Sequence, residues 1–367
     1  MRRANAAVHA LIVACAALTT HAATIRTVTV TSNDLAYDAV HRRLYASIPS
    51  SANGNSLQII DPANATLGPS VFVGSEPGKI AVSDDGQYAY VGLNGAPAVR
   101  RVDLATFTAT QQFALGSDSF LGPFYVDDIE VMPGSPLTIA VSRRNQGFSP
   151  RHEGVGIYDD GVVRPVQTPV HTGSNVIEFG DSPQTIYGYN NETTDFGFRT
   201  MSVSESGVTI TNTTAGLISG FGADIDYGGG KIVSTTGRVI DAPSHSLLGT
   251  LATSGPVAVE PDGNRAYVLT GNAIKVYDLN TFLPLDTITV PGLTGGSEIL
   301  RWGADGLAVR TPSSVYLINA SSVPEPTTPA LLATAAATLL LRRRQPRPRP
   351  PTTNRQSRTS RFVGPDL

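Results

Sequence analysis

One pattern recurs along the body of this chain: an apolar triplet, a turn holding Gly or Asp, a strand rich in Tyr and Val, a loop, a strand ending in Asp, and a last strand running into Gly. The clearest copies are KIAVSDDGQYAYVGLNGAPAVRRVDLATFTATQQFALG at 79–116 and PVAVEPDGNRAYVLTGNAIKVYDLNTFLPLDTITVPG at 256–292, which align almost without gaps. Weaker copies begin at Asp34, Asp128, Val176, Asp224 and Ile299. Seven units of about 43 residues, each with four short strands, predict an all-β, seven-bladed β-propeller. Gly 36 and Pro 26, with only 16% charged residues, agree with short strands and tight turns rather than long amphipathic helices.

The last unit supplies only three strands before Val323 and Pro324, whereas a spare strand, TIRTVTVT at 24–31, precedes the first unit. That orphan matches the fourth strand of other units, such as LDTITV at 285–290. It is expected to complete blade seven and close the ring, which removes exposed sheet edges.

The two ends have different compositions from the body. Residues 1–23 have a basic start (Arg2, Arg3), an apolar centre from 6 to 18 and a small-residue exit at His21-Ala22-Ala23, the order of a secretory signal peptide. Ile12-Val13-Ala14-Cys15 also fits a lipoprotein signal. Cys15 is the only cysteine, so cleavage leaves a body with no disulfide, thiolate metal site or cysteine nucleophile. At the other end, Pro324-Glu325-Pro326 is followed by an uncharged apolar stretch at 327–341 and then Arg342, Arg343 and Arg344. Its 15 residues fall short of the ~20 that span a bilayer comfortably, and the arginines would snorkel on the cytoplasmic side. The expected organisation is a signal peptide at 1–23, the propeller at 24–322, a sorting motif with a membrane helix at 323–344, and a disordered Pro- and Arg-rich tail at 345–367.

These three parts, in this order, resemble the PEP-CTERM sorting signal of bacterial extracellular proteins. That resemblance implies an exosortase-type processing enzyme as partner, export, and either membrane anchoring in the cell envelope or release after C-terminal processing. Within the body, Tyr90-Val91-Gly92-Leu93-Asn94 and Tyr267-Val268-Leu269-Thr270, each after an Asp-Gly turn, resemble YVTN-type bacterial propeller repeats. The likeness supports the fold; propellers host binding modules, lyases, lactonases and scaffolds alike.

The net charge of −3 conceals a strongly acidic body between basic ends. Such a body is ill suited to nucleic acid, whose binding relies on Lys and Arg neutralising phosphates. In a four-stranded propeller, the loops between second and third strands and those entering each blade share one face around the channel, where functional groups are expected. Blade entries supply Asp34, Asp128, Asn175, Asp224 and Glu298 as candidate metal ligands, since a hard cation such as Ca²⁺ takes about six to eight oxygens. One step inward, aligned positions read Ala36, Ala81, Glu130, Glu178, Asp226, Ala258 and Arg301. Glu130, Glu178, Asp226 and Arg301 are thus candidate channel charges. The same carboxylates also suit pairing with Arg301 and Lys79, or capping of strand-entry turns.

A long loop, SRRNQGFSPRHEG, is expected after the second strand of blade three, and YNNETTDFGF in blade four. Arg143, Arg144, Arg151, His152, Asn190 and Glu192 there, together with His171, are candidate contacts for a sugar or an anion, with Arg suited to carboxylates. Other motifs fail. Gly228-Gly229-Gly230-Lys231 lacks the spacing and the Ser/Thr of a phosphate loop and reads as a hairpin turn. There is no Gly-x-Ser-x-Gly or His-Glu-x-x-His, and Trp302 reads as inter-blade core. The residues point first to a non-catalytic binding or structural propeller, associated with exopolysaccharide or an envelope protein. A lactonase-like hydrolase or lyase with a divalent metal at the channel mouth is the alternative.

Overall fold

The computed structural model describes residues 23–171 and 173–319; the expected signal peptide, sorting motif, membrane helix and basic tail lie outside them. Among the described residues no helix is long and apolar enough to cross a membrane. Seven four-stranded antiparallel sheets make the blades, with strand order following chain order in the first six. Blade 2 is typical: Pro77–Val82, Tyr88–Leu93, Ala98–Asp103 and Thr108–Ala114, from the channel outward. Blade 7 takes Glu298–Trp302, Gly306–Arg310 and Ser314–Asn319 from the end of the body and its outer strand, Thr24–Thr29, from the beginning. Thr24 lies opposite Asn319 and Thr29 opposite Ser314, so the spare N-terminal strand does close the ring.

The second strands are buried along nearly their whole length because both faces of each blade are covered. Successive side chains point to opposite faces. In blade 1, Tyr45 packs with Ile80 and Val91 of blade 2, while Leu44 and Ala46 on either side of it pack with Val315 and Leu317 of blade 7. The same division recurs around the ring, so the core is a series of seven inter-blade clusters. Trp302 packs at the edge of the cluster shared by blades 7 and 1. Outer strands carry little of this core: Thr66–Phe72 is almost wholly exposed.

The Asp that ends the third strand has a local task. Asp61 Oδ1 accepts from the amides of Ala63 and Asn64 at 2.9 and 3.1 Å, and Asp103, Asp241 and Asp278 do the same for the turns that follow them. Four residues after each Asp the chain enters the left-handed region, at Ala65 (φ 55), Phe107 (φ 49), His245 (φ 53) and Phe282 (φ 60). The aspartate thus caps a turn that reverses the chain into the outer strand. The triple glycine is the expected hairpin: Gly228 pairs with Lys231 across Gly229 and Gly230, both at positive φ.

Candidate functional site: the channel mouth and the loops of blades 3 and 4

The inner strands surround a cavity of about 820 Å³. Its wall is uneven. Blades 3, 4 and 5 contribute Glu130, Glu178 and Asp226, while Ala36 and Ala258 leave the facing wall small. Near its mouth stand Asp34, Lys79, Asp128, Asp224 and Glu298.

Most of these carboxylates are engaged in joining one blade to the next. Asp34 Oδ2 accepts from Ile80 N of blade 2 (2.8 Å), Asp128 Oδ2 from Ile177 N of blade 4 (2.9 Å), and Asp226 Oδ2 from Val259 N of blade 6 (2.6 Å). Glu298 Oε1 accepts from Leu35 N at 3.3 Å across the seam between blades 7 and 1. The seam is reinforced by Arg310, which reaches Glu298 Oε2 at 2.5 Å and donates to Ser32 O at 3.0 Å. Inner strands have amides facing the neighbouring blade, and a short acidic side chain satisfies them without a further strand. Of the two cations expected to balance the carboxylates, Arg301 lies 3.7 Å from Glu260 and donates to Ala304 O. The other, Lys79, has its ammonium 3.6 Å from Asp128.

The electrostatics follow from enclosure. Lys79 is held well above the usual lysine range by Asp128 first, then by Asp34, Asp224 and Glu298. Burial pushes Asp128 up to about 6 and Asp226 up to about 7, against the opposing pull of Lys79 on the first and the Val259 amide on the second. Asp34 is raised by burial and then by Glu298. Glu130 is raised well above the carboxylate range by burial and by Asp128, and Glu178 by burial and by Glu130. Neither glutamate has a hydrogen-bond partner among the described residues. Both face the cavity, with their affinity for a proton raised.

The sequence candidates for a metal are divided. Asp34, Asp128, Asp224 and Glu298 come to the channel mouth around Lys79, but Asn175 does not join them: its Nδ2 donates to Asp127 Oδ2 and Glu192 Oε2 at 3.1 and 3.0 Å. Among the described residues no group of three or more His, Cys, Asp or Glu side chains is arranged to hold a metal ion.

The loop expected over SRRNQGFSPRHEG is much shorter. Strands Thr138–Arg144 and His152–Asp159 leave only 145–151 between them. This is a correction with a packing cause: Arg143 and His152 sit in strands covered on both faces, and both are buried. Arg143 lies over the Phe124 ring at 5.0 Å, and His152 is pushed down to about 3 by burial and then by Arg199 and Arg143. Asn190 is likewise buried, donating to Thr193 and Asp195. His171 remains exposed, its amide donating to His152 O at 2.8 Å.

Arg144, Arg151 and Glu192 do converge, through a hub that their own segments did not reveal. Asp127, at a register shift in the inner strand of blade 3, lies 3.7 Å from Arg144 and 3.3 Å from Arg151. Glu192 Oε1 accepts from Arg151 N at 2.5 Å. With Asn175 these residues form a polar bridge joining the loops of blades 3 and 4.

No protein-family model matches the chain, and no curated protein matches it. Among solved structures it is similar to hydrazine synthase of Kuenenia stuttgartiensis, at 13% identity and a TM-score of 0.63 over 80% of this chain and 97% of that one. It is also similar to the β-propeller domain of Cps50 (Swd1) from Myceliophteria thermophila, at 12% identity and a TM-score of 0.62 over 80% and 99%. At this identity the likenesses show the seven-bladed β-propeller fold alone.

Proposed function

We propose that this chain is an exported propeller of the cell envelope or extracellular matrix that binds polysaccharide without cleaving it. The observation that carries this reading is the use made of the channel carboxylates. Asp34, Asp128, Asp226 and Glu298 hold backbone amides of the next blade, a structural duty that leaves them poorly placed as nucleophile or base. The resemblance of 324–344 to a PEP-CTERM signal supports display outside the cytoplasm, with an exosortase-type enzyme as processing partner.

One observation favours the second reading, a hydrolase or lyase. Glu130 and Glu178 line the cavity with raised proton affinity, as an acid–base pair would. A divalent cation, with Ca²⁺ the hard-ion choice, would have to displace Lys79 from the carboxylates around it, which are not arranged as a metal site. The two readings separate in one experiment: the purified protein is mixed with secreted polysaccharide, with Ca²⁺ or with chelator, and both bound protein and new chain ends are measured. Binding insensitive to chelation, with no new ends, is expected. Chain ends that appear only with Ca²⁺ would favour the enzyme, and absence of both binding and cleavage would overturn the proposal.

A further inference from the structure

Four phenylalanines stand in two pairs on the face where the channel opens. Phe120, in the small hairpin of Ser117–Asp118 and Gly122–Pro123 that leads into blade 3, meets Phe148 of the 145–151 loop with ring centroids 5.7 Å apart. Phe196, in the loop between the second and third strands of blade 4, meets Phe221, in the connection to blade 5, edge-on at 5.0 Å. Phe120 is 81% exposed, Phe148 48% and Phe221 66%. Apolar rings left in water by several loops on one face mark an interaction site more than chance decoration.

These rings are held in place. The amides of Phe120 and Leu121 both donate to Asp118 Oδ1, at 2.7 and 2.8 Å, and Phe148 N donates to Asn145 Oδ1 at 3.0 Å. Beside Phe221, Gly222 N donates to Asn191 O at 2.8 Å, and Asn191 Nδ2 to Ala223 O at 3.0 Å. The bridge of Asp127, Arg151, Asn175 and Glu192 ties together the blade 3 and blade 4 loops that carry the two pairs. Its most open charged group is Arg151, whose side chain is 42% exposed against 10% for that of Asp127, with which it pairs at 3.3 Å. Both Glu192 oxygens are occupied, by Arg151 N and Asn175 Nδ2.

We infer that this face holds a linear acidic polysaccharide, with sugar rings laid against the two phenylalanine pairs and a uronate carboxylate at Arg151. A pyranose ring has an apolar C–H face that packs on an aromatic ring, and a hydroxyl rim suited to planar polar side chains. A guanidinium receives a carboxylate through parallel N–H donations. A protein partner would cover a core depleted of charge, whereas here a charged bridge joins the two aromatic pairs. The inference rests on the polysaccharide-binding function proposed above and names its ligand class.

Affinity electrophoresis of the purified protein through gels containing alginate, a polyuronate, or dextran, a neutral glucan, tests it. Wild type is expected to be retarded by alginate in a salt-sensitive way and little by dextran. Phe120→Ala/Phe221→Ala and Arg151→Gln are each expected to lose about tenfold in affinity while keeping the wild-type melting temperature. Should the double variant melt early, Phe221→Ala alone, at an exposed site, serves in its place. Alginate retardation equal in wild type and variants would refute this surface and leave the polysaccharide function standing. Equal retardation by dextran would refute the acidic class, and no retardation by either polymer would overturn the inference. Failure to bind the secreted polysaccharide in the mixing experiment as well would remove the function it rests on.

Discussion

Glu178 and Glu192 sit on neighbouring stretches of blade 4 in different surroundings. Glu192 accepts two N–H donors, whereas Glu178 has none and lies beside Glu130, so enclosure holds its proton. The folded ring therefore keeps protons that the unfolded chain releases at ordinary carboxylate values. That stabilisation is complete below the ordinary range and is lost as pH rises through the raised values, about 6 for Asp128 and about 7 for Asp226. His152 works the other way: held neutral down to about 3, it stabilises above the ordinary imidazole value and loses that contribution as pH falls. Five raised carboxyls outnumber two lowered histidines, His152 and His245, so melting temperature is expected to fall between about pH 5 and about pH 8. Glu178→Gln keeps the shape and removes the titration. It should raise stability near pH 8 and leave it unchanged near pH 4. Thermal melts across pH check this, and an equal change at both ends of the range would contradict it.

At the scale of elements, much was legible. The Asp that closes third strands recurs because each such turn needs its amides capped, and the apolar triplets recur because each inner strand lies between two blades. The spare strand at 24–31 was legible by counting, and the structure places Thr24–Thr29 against Ser314–Asn319. Removing Thr24–Thr29 should expose the edge of Ser314–Asn319, uncover Val315 and Leu317, and lower the melting temperature by several degrees or abolish a cooperative transition. An unchanged melt of that deletion would show that the seam does not depend on it. Other features left no local mark. The ends of SRRNQGFSPRHEG look like loop because Arg143 and His152 are polar, and their burial comes from Phe124 and Arg199, distant in sequence. Arg301 pairs with Glu260 of the preceding blade, a partnership that depends on how blades meet. The phenylalanine pairs left no local mark either: each ring stands in its own loop, and its partner is brought to it by the strand pairing of the blade between them.

Across the whole molecule, seven inter-blade clusters and a relay of carboxylate-to-amide contacts make a ring whose stability is shared among interfaces. The loops at the channel mouth can then vary without cost to that ring, which is where Asp127, Arg151 and Glu192 assemble and where the phenylalanines project. Binding and cleavage are told apart at two side chains, Glu130 and Glu178, which line the cavity without hydrogen-bond partners among the described residues. The most direct measurement is a binding isotherm with product analysis, comparing wild type with Glu130→Gln/Glu178→Gln on the same secreted polysaccharide. A binding propeller predicts saturable binding of similar affinity in both proteins and no new chain ends in either. New chain ends formed by the wild type and abolished in the double variant would contradict it.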